Sequence, residues 1–155
     1  MSIVKLDPAI VKLDPAMKAK WVAALRSGEY MQAPGKLMNN ETGGYCCYGI
    51  ACLITGAPKR IDDGLVYFGG DAERCWDYLP LSVMSALCPD VDVDAIDNNS
   101  SLYIPVYETD SGKLRHVAAG GNAVALDTLN DAVQCYGPDY AFSFNEIADL
   151  IEERL

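Results

Sequence analysis

The chain has 155 residues, half of them hydrophobic and 22% charged, and its 12 basic against 22 acidic side chains give a net charge of −10. A chain of this size is one domain that buries about 70% of its unfolded surface, and the composition excludes general disorder. The acidity disfavours broad binding of nucleic acid, and no apolar run nears the roughly 20 residues that span a bilayer, so neither nucleic acid nor membrane is an expected partner.

The first feature along the chain is a tandem copy: Ile3-Val4-Lys5-Leu6-Asp7-Pro8-Ala9 is followed at once by Ile10-Val11-Lys12-Leu13-Asp14-Pro15-Ala16. Repeat architectures need units of about 20 residues or more, so this reads as a duplicated start. Residues 1–13 are therefore expected to be an N-terminal extension, poorly ordered or laid on the body as a strand, and residues 14–155 a single globular domain. Lys5 and Lys12 are not followed by an apolar signal core, so secretion is not expected.

Asp14 followed by Pro15 writes a helix start; Met17, Trp21 and Leu25 share a face with Val22 beside them, and Gly28 closes the element. Residues 29–40 read as a loop through Pro34-Gly35, with a turn at Asn39-Asn40 before Thr42. Gly43-Gly44 then leads into Tyr45-Cys46-Cys47-Tyr48 and an apolar stretch that Gly56 and Pro58 stop. That pattern predicts a short buried helix with two thiols in its first turn. Leu65 to Phe68 reads as a strand ended by Gly69-Gly70. Leu79-Pro80 opens a helix with Val83, Met84 and Leu87 inward, and Pro89 ends it.

Residues 90–100 are acidic and polar, a loop. Leu102 to Tyr107 and Leu114 to Val117 are expected to pair as a hairpin across Asp110-Ser111-Gly112, with Pro105 on an edge. Gly120-Gly121-Asn122 leads into a helix over residues 123–133. In the last helix Ser143 is the cap, Glu146 completes a capping box, and Ile147, Leu150, Ile151 and Leu155 form the inner stripe. About five short helices with a small antiparallel sheet make an α+β fold.

Three stretches together carry a resemblance. They are Asp14-Pro15-Ala16 with residues 20–30, then Tyr45-Cys46-Cys47-Tyr48-Gly49, then Leu129-Asn130-Asp131 with Phe144 and residues 146–153. The chain resembles a family of short uncharacterised proteins of tailed bacteriophages and prophages, over most of residues 14–155. Where that family has a Gly-Arg-Gly-like loop this chain has Ala33-Pro34-Gly35, and where it has Leu this chain has Tyr48. The resemblance implies a phage accessory protein acting in bacterial cytoplasm. It carries no catalytic residue over.

Cys46, Cys47, Cys52, Cys75, Cys88 and Cys135 show no paired C-x-x-C spacing and are expected to be reduced thiols packed as small hydrophobes. As a nucleophile, Cys46 or Cys47 needs a base, and His116 is the only histidine; on a strand facing the cysteine helix it would serve. Asp90, Asp92, Asp94 and Asp97 resemble the start of a calcium loop, but Ala95 and Ser101 stand where glycine and a bidentate glutamate are needed. Zinc through Cys46, Cys47, Cys52 and His116 lacks ligand spacing. No cofactor or metal is expected.

Charge is uneven: residues 1–60 carry eight Lys or Arg and four acids, residues 61–155 four and 18. The first segment suits a small phosphorylated ligand, and the second an acidic face for a basic partner. The leading expectation is a non-enzymatic host-defence antagonist that sequesters a small nucleotide immune signal. Its pocket would comprise Gly43 and Gly44 as phosphate donors, Lys36 and Arg60 as cations, and Trp21, Tyr30, Tyr45 and Tyr48 as stacking rings. The alternatives are an acidic inhibitor that binds a host defence protein directly, and a cysteine-dependent hydrolase. A sheet edge permits a homodimer.

Overall fold

A computed structural model describes residues 12–70, 73–90 and 102–155. Most of the duplicated extension and of the acidic loop at 90–100 lies outside the described residues. Asp14 opens helix α1 (Pro15–Arg26): its carboxylate accepts from the Met17 N–H at 3.1 Å, and Pro15 sits where a missing donor costs nothing. The second copy of the repeat also supplies an anchor. Leu13 is buried, and the Asp14 N–H donates to the Leu87 carbonyl at 2.7 Å, which ties the start of α1 to helix α3 (Leu81–Leu87).

Helix α2 (Cys47–Ile54) is buried continuously from Cys47 to Cys52, more than a one-faced stripe requires. Gly49 explains how it fits: a Cβ there would lie 1.9 Å from the Leu37 carbonyl oxygen, so only glycine lets the helix seat on that segment. The Trp21 indole N–H donates to the Cys47 carbonyl at 3.0 Å, locking α1 to the first turn of α2. Strand β1 (Lys59–Asp62) pairs antiparallel with β2 (Leu65–Phe68) across an Asp63-Gly64 turn, both of whose residues have positive φ. Strand β2 agrees with the sequence reading. Its partner β1 is entirely exposed and carries no apolar run to betray it.

The expected hairpin between residues 102–107 and 114–117 does not form. Strand β3 (Tyr103–Pro105) pairs antiparallel with β4 (Ala123–Ala125), matching Ile104 with Val124, and residues Gly112–Val117 are helix α4. The reason lies in spacing. Leu114 and Val117 are three apart and both buried, which one helical face provides and an alternating strand does not. Ser111 caps α4 by accepting from the Leu114 N–H at 3.3 Å. The expected helix at 123–133 is corrected in the same way: it starts as β4 and continues as α5 (Leu126–Asn130) and α6 (Ala132–Tyr136).

A short 3-10 turn, Pro138–Tyr140, leads to α7 (Phe144–Arg154), whose Ser143–Glu146 capping box is complete. Ile147 and Ile151 point into the core against α1, and Leu155 is buried beside them. The described residues thus form seven α-helices and two small antiparallel sheets, an α+β fold.

Candidate functional site

Four of the eight expected ligand-binding residues, Trp21, Tyr48, Gly43 and Gly44, are already engaged within the fold. Trp21 and Tyr48 are fully buried, the first bonded to Cys47 and the second accepting the Leu102 N–H at 2.9 Å. Their rings fill core and are not a stacking wall. The glycine donors are also engaged: Gly43 N–H donates to Asn39 O at 2.8 Å and Gly44 N–H to Thr42 Oγ1 at 3.2 Å. Tyr45 N–H and Cys46 N–H follow, to Met31 O and Leu37 O. Gly43 is needed for its positive φ, and Gly44 because a Cβ would lie 2.8 Å from that of Ala33. The pair makes a tight turn, which withdraws it from phosphate binding.

Lys36 is half-buried and Arg60 lies exposed on β1. Tyr30 and Tyr45 do meet, edge to face with ring centres 5.8 Å apart, both partly exposed. A groove on the outer face of α1, between Pro15 and Arg26 with Glu152 across from it, contains none of the eight.

What the fold gathers instead is a polar seam against the cysteine helix. Among the described residues, Asn130 is the buried polar residue of the core. Its Nδ2 donates to Ala33 O and to Asp131 Oδ1, each at 3.0 Å, and its Oδ1 accepts from Gln32 Nε2 at 3.0 Å. Gln32 in turn donates to Phe142 O at 2.8 Å and accepts the Phe144 N–H at 3.1 Å. Asp131 accepts from the Gly35 N–H at 2.9 Å. The seam therefore stitches the 32–35 loop to α5 and to the start of α7. The resemblance marked Asn130 and Asp131, yet Gln32 was missed. The available signal was a lone Asn among apolar neighbours Leu126, Leu129 and Ala132, a pattern that demands a partner.

Burial dominates the ionisable groups beside the seam. It pushes the Cys46 thiol up to about 12 and holds Cys47 well above the ordinary thiol range. Cys88 is pushed up to about 12 as well, and Cys52 and Cys75 are raised. Asp127 is raised first by burial and then by the charge of Asp131, against a hydrogen bond from Tyr48. Cys135 is the exposed cysteine. His116 sits on α4, exposed, stacked on Tyr140 at 4.3 Å and edge-on to Tyr136 at 5.3 Å. The expected strand histidine facing Cys46 or Cys47 is thus replaced by a helical one packed on tyrosines.

Among the described residues no cluster of three or more His, Cys, Asp or Glu is placed to hold a metal, and no helix is long and apolar enough to cross a membrane. Asp92, Asp94 and Asp97 lie outside the described residues. A family described as Domain of unknown function (DUF8296) matches residues 13–155. No curated protein and no solved structure matches the chain.

Proposed function

We propose that this chain, which belongs to the DUF8296 family, is a non-enzymatic binding protein that antagonises a bacterial host-defence factor by docking an acidic surface on it. The carrying observation is where the charges go. Of the four basic residues after position 60, Arg74, Lys113 and Arg154 are each held in an ion pair, against 18 acids in the same segment. Exposed carboxylates such as Asp77, Glu108 and Asp139 remain to face a partner. Such a surface raises the association rate of a basic protein more than it tightens the final complex. Buried, protonated thiols support a wall and not a nucleophile. The phage resemblance supports the setting, a defence factor in bacterial cytoplasm.

The test is binding of a purified host defence protein recovered with the chain, measured at low and high salt. Affinity is expected to fall about tenfold or more between roughly 0.05 and 0.5 M salt, because exposed charges are screened over that range. Affinity indifferent to salt refutes the acidic-surface reading. One observation favours a second reading: the partly exposed Tyr30–Tyr45 pair beside the Gly43 turn offers one ring face to a nucleotide base. Titration calorimetry with cyclic dinucleotides and cyclic ADP-ribose isomers decides it. Heat that disappears in Tyr30→Ala would replace the first reading with sequestration.

A further inference from the structure

Strand β1 has an edge that nothing pairs with among the described residues. Gly69 N–H donates to Pro58 O at 3.0 Å, and the register runs Lys59 with Phe68 through Asp62 with Leu65. Hydrogen-bonded and non-bonded pairs alternate along an antiparallel ladder, so Pro58, Arg60 and Asp62 turn their backbone groups toward β2. Lys59 and Ile61 therefore aim their N–H and C=O groups outward. All four residues of β1 are exposed, and Ile61 is 58% accessible in the middle of the edge. An exposed edge with an apolar centre is a template for another strand.

The occupant is written in the charge order. Lys59-Arg60-Ile61-Asp62-Asp63 reads positive, positive, apolar, negative, negative. Laid antiparallel on itself about Ile61, the strand sets Arg60 against Asp62 of the second copy and Ile61 against Ile61, with Lys59 brought alongside the turn that carries Asp63 of the second copy. Each copy contributes both halves, so the Arg60–Asp62 pair is favourable and occurs twice, with the Ile61 pair once at the centre. The same register makes Ile61 a hydrogen-bonded pair with its counterpart, which suits its outward backbone groups. A slip of two positions sets Arg60 against Arg60, or Asp62 against Asp62, and like charges directly opposite are destabilising. Asp62 accepts from Arg74 through Oδ2 at 2.7 Å and has a second oxygen for Arg60 of the other copy.

We infer that β1 is a homodimer interface: two hairpins join edge to edge, in register about Ile61, into one four-stranded antiparallel sheet. The contact is small, at the low end of specific interfaces, so the dimer forms in the micromolar range or above. It stands independently of the acidic surface and its partner.

The experiment is sedimentation velocity on the full chain from about 1 μM to 1 mM, a range that brackets that affinity. Wild type is expected to shift from monomer to dimer. Arg60→Glu and Asp62→Lys each create two like-charge pairs and should each move the transition at least about tenfold upward in concentration. Mixed in equal amounts they restore opposite charges at both positions, and dimer should return as a heterodimer. Ile61→Pro removes the outward donor without touching a hairpin bond, and should leave a monomer whose circular dichroism and melting temperature match wild type. A wild-type monomer throughout, a dimer untouched by Arg60→Glu, or a mixture that stays monomeric overturns the proposal.

Discussion

At Cys46 and Cys47 two effects compete, and their sizes decide the outcome. The start of a helix favours a thiolate, but a helix dipole contributes only about 0.3–1 kcal/mol, under one pH unit of pKa. Burial outweighs it and carries Cys46 up to about 12. At neutral pH that lowers the Cys46 thiolate fraction about a thousandfold relative to an ordinary thiol. The six free cysteines should then divide sharply, because only Cys135 is exposed. A disulfide-exchange reagent such as Ellman's is expected to titrate one thiol quickly in the native chain and all six in denaturant. Cys135→Ser should abolish the fast phase; a second fast thiol would show that the segment around one of the buried cysteines opens. The short buried helix was legible in residues 43–56, from its glycines and apolar run. The roles of Trp21 and Tyr48 were not. An aromatic ring has the same sequence signature in a core as in a binding wall, and only the Cys47 and Leu102 partners distinguish them.

Elements with local instructions were readable and those with distant ones were not. Asp14 with Pro15, and Ser143 with Glu146, act within one helical turn, and both caps stand as the residues specify. The partner of β3 lies some twenty residues away beyond a helix, and short strands such as Ala123–Ala125 are made by the strand they meet. Strand β1 escaped for a related reason, since four exposed residues owe their extension to β2 and to the Asp63-Gly64 turn. The last helix offers a clean measure of a local signal. Ser143→Ala removes the acceptor for the Glu146 N–H, 3.2 Å away in wild type, and leaves the carboxylate half of the box without its counterpart. The expected loss is about 1 kcal/mol, or roughly 2–4 °C in melting temperature for a chain of this size. Because Ile147 and Ile151 hold the helix to α1, the fold should persist and the loss should appear as a shifted urea midpoint with an unchanged slope. A changed slope would mean that α7 frays separately from the body.

For the molecule as a whole, a net charge of −10 suggests a simple rule, that neutralising any acid relieves repulsion and stabilises the fold. Two carboxylates predict that the rule fails. Asp110 accepts from the Arg154 guanidinium, whose side chain is 8% accessible and which also donates to the Pro105 carbonyl at 2.8 Å and lies over the Tyr107 ring. That pairing holds Asp110 below the ordinary carboxylate range. A depressed carboxylate contributes stability that is present above its unfolded value and is lost as pH falls through its folded value. Asp127 has the opposite sign: raised by burial, it contributes stability that is present below its unfolded value and is lost as pH rises through its folded one. At pH 7, Asp110→Asn should therefore destabilise by about 2 kcal/mol, since it withdraws a charged partner from a buried guanidinium. Asp127→Asn should instead stabilise at pH 7, because it keeps a side-chain acceptor for Tyr48 without the cost of a buried charge. Both differences should shrink in acid, that of Asp127→Asn first and that of Asp110→Asn only as pH falls on through the depressed folded value of Asp110. Urea midpoints of the three proteins from pH 7 into acid give the answer. If both variants gain stability at pH 7, overall repulsion governs this chain; opposite signs at pH 7 that converge in acid assign control to the two local environments.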